Sequence, residues 1–169
     1  GFGLGGLSAI TRCKKSFEQG DGAVSVFQAI NFDADLSDDA FCLDGQRLYA
    51  VGAGSGACPY RSEGGQQFSV ELDPATRVCG YRAGSGYSFW LVYGKDGLIK
   101  RYGHSGQSAL APSGSALSEQ ILTWGMDLVI DPNGNTIEYA YWNQAGEMLP
   151  QDIRYGGRVS TVEVKYGVI

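Results

Sequence analysis

The sequence predicts an all-β fold built from antiparallel hairpins. Three observations carry that prediction: composition, an alternation of period two, and dipeptides that favour tight turns. Twenty-six glycines against five prolines, with ten tyrosines, three tryptophans and only 18% charged residues, is what many short strands joined by tight turns require. Apolar and polar residues alternate along most of the chain, and the 3.6-residue stripe of an amphipathic helix is almost absent. At 169 residues the chain is expected to form a single β-rich module over residues 1–169, long enough to bury a core without staples.

The opening segment, GFGLGGLSAITRC, satisfies G-x-G-x-x-G at Gly1, Gly3 and Gly6. A dinucleotide-binding loop needs a helix opening directly behind its glycines. Here Leu7, Ala9 and Thr11 alternate with Ser8, Ile10 and Arg12 instead, so the continuation reads as a strand. Gly3, Gly5 and Gly6 are accordingly read as small residues at the start of a strand, where backbones approach closely or a bulge forms. Further on, DADLSDDAFCLD brings Asp33, Asp35, Asp38, Asp39 and Asp44 together. The order of an EF-hand loop is missing, so a solvated acidic loop is expected, with calcium binding as the alternative.

Three hairpin signals follow: LDGQRLY (43–49), KDGLIKRY (95–102) and PNGNTIEY (132–139). Asp44-Gly45, Asp96-Gly97 and Asn133-Gly134 are expected to form the turns, because these dipeptides tolerate the positive φ of type I′ geometry. Strands lie between them. Phe68, Val70 and Leu72 alternate with Ser69, Glu71 and Asp73; Phe89, Leu91 and Tyr93 share one face, as do Ile137, Tyr139 and Tyr141. Loops are expected at 51–59, 82–88 and 103–120, and the one weak helical candidate is SALSEQILTW, residues 115–124. The sum is about ten strands in one strongly curled sheet or two packed sheets.

Cys13, Cys42, Cys58 and Cys79 lack the spacing of a zinc site, and the single histidine, His104, is far from them in sequence. Neighbour pairing, Cys13 with Cys42 and Cys58 with Cys79, is the preferred of the three possible connectivities if the protein is exported; buried free thiols are the alternative. A net charge of −5 and a pI near 4.8 argue against nucleic-acid binding. No apolar run approaches the ~20 residues of a membrane-spanning helix. No cofactor motif survives its context. His104 sits beside Ser105 in YGHSG, but adjacency in sequence is not a catalytic triad, so no enzyme is expected. The aromatic surplus has two readings. Cross-strand packing is favoured; a carbohydrate-binding domain, with Trp90, Trp142 and Tyr87 on an exposed platform, is the rival.

The segments GFGLGGLSAITRC, FCLDGQRL, KDGLIKRYG, TWGMDLVIDPNGNTIEYAYW and MLPQDIRYGG, in that order, resemble the SpvB/TcaC-type N-terminal region of bacterial toxins. That region occurs in B components of insecticidal Tc toxin complexes and in related RHS/YD-repeat proteins. The resemblance runs from Gly1 to about Gly157. It implies a non-catalytic scaffold, part of a larger β shell in a secreted toxin, whose partners are other segments of the same polypeptide or toxin-complex subunits. The sequence departs from the family pattern at Cys58 and Cys79, which are positioned to staple the hairpin between them, and in the length of the 103–120 loop. A chain that starts at Gly1 and stops inside the alternation Val162, Val164, Tyr166, Val168 is expected to be a fragment of a longer one.

Overall fold

The computed structural model describes residues 7–14, 39–52, 58, 65–83, 86–105, 107–111, 121–144 and 147–156. Among these residues every regular element is a strand: β1 (Ala9–Lys14), β2 (Asp39–Leu43), β3 (Gln46–Ala50), β4 (Gln66–Val70), β5 (Asp73–Ala83), β6 (Gly86–Tyr93), β7 (Ile99–Tyr102), β8 (Ala109–Leu110), β9 (Thr123–Ile130), β10 (Thr136–Gln144) and β11 (Glu147–Gly156). The all-β prediction holds, and of its two forms the curled single sheet is the one observed.

From β1 to β7 each strand pairs antiparallel with the next, and β7 then pairs with β9. The sheet closes where β9 meets β1, with Ile10 opposite Trp124. Eight strands therefore form a barrel, which removes the exposed edges that an open sheet would carry. β9 is the junction. Its first residues, Thr123–Gly125, pair with β1, while its last, Leu128–Ile130, pair with β10. Beyond that point β10 and β11 leave the barrel as a long hairpin.

An eight-stranded barrel has an interior just wide enough for side chains to fill. Here rings fill it. Phe41, Phe68, Tyr87, Trp90 and Trp124 are each at most 1% exposed. Tyr87 lies 4.6 Å from Trp90 between ring centroids, Phe41 lies 5.0 Å from Trp90, and Trp90 meets Trp124 edge-on at 5.5 Å. Tilted and edge-to-face contacts of this kind add to the burial of apolar area. Gly80, on β5, makes the arrangement possible: a Cβ there would stand 2.7 Å from the Trp90 ring and 2.8 Å from Tyr87.

The three predicted turns divide into two types. Between β2 and β3, Asp44 and Gly45 have φ of 48° and 84°, the two consecutive positive values of a type I′ turn. At Asp96-Gly97 only the glycine is left-handed, at 82°; Gly97 N–H bonds back to the Gly94 carbonyl and Gly94 N–H to the Leu98 carbonyl. Asn133-Gly134 repeats this, with Gly134 at 85° bonded to Asp131 and Asp131 bonded to Asn135. Both are three-residue loops in which a turn precedes a left-handed glycine and bulge. The type I′ expectation is thus corrected at these two sites. The physical reason is a carboxylate within or just before each loop: Asp96, in the dipeptide itself, accepts from Leu98 N–H, and Asp131, two residues ahead of Asn133, accepts from Asn133 and Asn135 N–H, so a carboxylate organises a longer loop.

Other expectations change as well. Of the helical candidate 115–124, residues 121–124 are described, and Thr123 and Trp124 begin β9. Pairing with β1 and β8 outweighs the weak helical pattern. The loop expected at 82–88 is mostly strand, since β5 runs to Ala83 and β6 starts at Gly86. Within 103–120, Ala109 and Leu110 form β8, and residues 112–120 lie outside the described residues. So do Gly3, Gly5 and Gly6, together with Asp33, Asp35 and Asp38. Disulfides join Cys13 to Cys42, clipping β1 to β2, and Cys58 to Cys79, tying the segment ahead of β4 to β5.

Candidate functional site

Among the described residues, two hollows and a projecting hairpin present polar and apolar groups to solvent. The first hollow, of about 270 Å³, opens at the turn end of the barrel and is lined among others by Asp44, Asp73, Asp96, Lys95, Lys100 and Tyr102. Its carboxylates are already engaged. Asp73 accepts from the Thr76 hydroxyl at 2.6 Å, and this bond holds its pKa below the usual carboxylate value. Asp96 serves its own turn. Asp44 accepts from the Ser8 hydroxyl at 2.7 Å and from Ala9 N–H at 2.8 Å. Because the single Ser8 proton goes to Asp44, the Tyr102 hydroxyl 2.6 Å away must donate to Ser8. That relay ties the interior to the type I′ turn.

Burial raises the pKa of Tyr102 and of Tyr141, whose hydroxyl donates to the Met126 carbonyl at 2.7 Å; Tyr93 is raised for the same reason. A pKa raised in the folded state means that the fold favours the neutral phenol. The contribution is complete below the unfolded value of about 10 and is lost as pH rises toward the folded value. Melting temperature is therefore expected to fall as pH passes about 10, and Tyr102→Phe should flatten that fall. A wild-type melting temperature that stays level across this range, followed alongside tyrosinate absorbance, would count against it.

The second hollow, of about 380 Å³, lies where the hairpin leaves the barrel and is lined in part by Arg101, Ser105, Asp127, Glu138, Tyr139 and Arg154. At its base Asp127 is 2% exposed. It accepts from Arg101 Nε at 2.9 Å, from Ser105 N–H at 2.6 Å and from the Ser108 hydroxyl at 3.2 Å. A buried carboxylate with three donors is satisfied, and its effect is to peg the segment leading into β8 onto the wall of the barrel. Gly103, φ 78°, starts that segment flat against the Trp124 ring, where a Cβ would collide with the indole. The signal for Asp127 was in the sequence: a lone acid in the apolar run TWGMDLVI. Gly80 and Gly103 had no comparable signal, since glycine is common throughout the chain.

The structure disperses the residues that a carbohydrate platform or a triad would need. Trp90 and Tyr87 are 0% and 1% exposed inside the barrel, and Trp142 alone of the three is exposed, at 52%. The platform reading is corrected: barrel closure turns those two side chains inward. His104 is exposed and meets the Phe89 ring edge-on at 5.0 Å, while Ser105 is held through its backbone by Asp127. Among the described residues no group of three or more His, Cys, Asp or Glu is placed to hold a metal ion, and no helix is long and apolar enough to cross a membrane.

The fold matches known structures. The N-terminal domain of the effector protein SpvB from Salmonella typhimurium strain LT2 superposes with a TM-score of 0.61 at 14% identity, over 89% of this chain and 52% of that one. A TcdB2-TccC3-Cdc42 crystal structure gives 0.65 at 15% identity, over 88% of this chain and 8% of that one. The Photorhabdus luminescens Tc holotoxin pore gives 0.57 at 18%, over 82% and 6%. The chain thus spans about half the length of the first and under a tenth of the other two. Identities this low speak to fold alone. No curated protein sequence matches the chain. In class, then, this is a closed eight-stranded β-barrel domain extended by a hairpin. The family model described as Salmonella virulence plasmid 65kDa B protein matches residues 72–162, just over half of the chain, and the chain belongs to this SpvB family.

Proposed function

We propose that this chain is a non-catalytic structural module of a secreted bacterial toxin, serving to support or enclose other segments of the same polypeptide or of its toxin complex. The observation that carries this reading is where the aromatic surplus goes. The barrel spends its rings on its own interior, around Trp90 and Trp124, which side chains fill. Of the five large apolar side chains exposed among the described residues, four, Trp142, Leu149, Ile153 and Tyr155, sit on the projecting hairpin, where a neighbouring segment could cover them, and the fifth, Leu72, sits between β4 and β5. Membership of the SpvB family and the presence of similar barrels inside much longer toxin chains support the same role. Two disulfides in a chain of this size fit an oxidising, extracellular setting.

The test is made in the full-length protein. Trp142→Ser with Leu149→Ser alters the hairpin surface and leaves the barrel interior intact. Limited proteolysis is expected to cut the rest of the polypeptide faster in this variant than in the wild type. An unchanged digestion pattern, or a turnover activity that maps to residues 1–169, would overturn the reading.

A further inference from the structure

Hairpin strand β11 ends the order of the sheet, and among the described residues its outer edge has no partner strand. Residues 149–156 are exposed throughout. An edge of this kind is a template for a strand of another chain. Its first part is a poor one, because Pro150 has no N–H to give and the register shift opposite Ala140 and Tyr141 leaves Gln151 as a bulge. Beyond the bulge the strand is regular. Asp152 and Arg154 lie on one face, opposite Ala140 and Glu138, while Ile153 and Tyr155 lie on the other, opposite Tyr139 and Ile137. Arg154 Nε donates to Asp152 at 3.0 Å with both side chains in solvent, a contact worth little by itself.

We propose that this edge pairs with β11 of a second copy of the chain, antiparallel about a twofold axis at Ile153. Parity and charge select this occupant. Side chains directly opposed across an antiparallel pair share a face, so in a twofold contact each residue opposes one of its own parity, and the axis falls on a residue. With the axis at Ile153, Asp152 of each copy stands opposite Arg154 of the other, and two ion pairs form across the edge. Moving the axis one residue either way sets Asp152 against Asp152 or Arg154 against Arg154, which like charges directly opposed disfavour. The register is thereby fixed. On the other face Ile153 meets its own copy and lies diagonal to Tyr155 of that copy, so two side chains that are 46% and 79% exposed gain cover. A pattern complementary to itself is what an isologous contact requires. The paired stretch is short, so the dimer is weak and reversible rather than obligate.

The pairing does not rest on the scaffold role proposed above, and its readout, oligomeric state, is separate from proteolysis. Sedimentation of the full-length protein is followed from about 1 μM to about 1 mM, the range of weak association. The wild type is expected to dimerise reversibly within it. Arg154→Asp and Asp152→Arg each place like charges opposite one another twice in the dimer and should weaken association by about tenfold or more. The double variant Asp152→Arg with Arg154→Asp restores the opposite pairs and should restore the dimer. Ile153→Cys, mildly oxidised, is expected to form a bond between copies at position 153, since opposed residues come within reach of a disulfide. Tryptophan fluorescence from the buried Trp90 and Trp124 reports that the barrel remains folded in each variant. A wild type that stays monomeric throughout, single variants that associate as the wild type does, or a folded double variant that fails to recover would each overturn the proposal.

Discussion

Trp90→Ala is expected to destabilise the chain by about 3–5 kcal/mol, the range for truncating a buried aromatic side chain. Trp90 is 0% exposed and lies within 5.5 Å, centroid to centroid, of Phe41, Phe68, Tyr87 and Trp124. Its removal leaves a void that closed walls on all sides cannot collapse to fill, so the cavity term adds to the transfer term. Gly80 stands directly against this ring, and a substitution there does not repair the loss, since the gap is larger than a methyl group. Denaturant or thermal unfolding measures the effect. A loss below about 1 kcal/mol, the size of a surface substitution, would mean that Trp90 is not in the barrel core.

Removing both disulfides, by replacing all four cysteines with alanine, is expected to cost about 3–4 kcal/mol for each bridge. The estimate follows from sequence separations of 29 residues for Cys13–Cys42 and 21 for Cys58–Cys79, since closing loops of that size restricts the unfolded chain. The two bridges should contribute nearly equally, because the dependence on loop length is logarithmic. The paired variants Cys13→Ala with Cys42→Ala and Cys58→Ala with Cys79→Ala separate them. A melting temperature unmoved in either pair would show that the bridge does not restrain the unfolded state. Cys79 is fully buried, so mutation is a cleaner test than reduction of the folded protein.

What could be read in advance was local. The period-two runs at 68–73, 89–93 and 137–141 all became strand or strand-and-turn, because alternation is imposed by one buried face and needs no knowledge of partners. Turn positions were legible for the same reason: left-handed φ falls at Gly45, Gly97 and Gly134, where a side chain would be strained. Turn type was not. Whether Asp-Gly closes a two-residue or a three-residue loop depends on which carbonyl and carboxylate capture the neighbouring N–H groups, as Asp131 does for Asn133 and Asn135.

At the candidate site the limit was different. Sequence alone could not decide whether Trp90 and Tyr87 faced water or a core, since either face of a strand can be the buried one until the sheet curls. Closure decided it. Pairing of β1 with β9 joins residues more than a hundred positions apart, Ile10 with Trp124, and no local pattern encodes that contact. The same closure brings Gly80 against the Trp90 and Tyr87 rings and, among the described residues, leaves β11 at the end of the strand order.

By itself, then, the sequence determined an antiparallel β chain with its hairpin positions, a preferred cysteine pairing and its family, because these follow from short-range sterics, alternation and a specific order of motifs. Only the tertiary structure decided that the sheet is a closed barrel, that its rings point inward, that Asp127 pegs the segment before β8, and that four of the five large apolar side chains exposed among the described residues lie on one hairpin. Those outcomes depend on which distant strands meet, and pairing across a closed ring is a property of the whole chain.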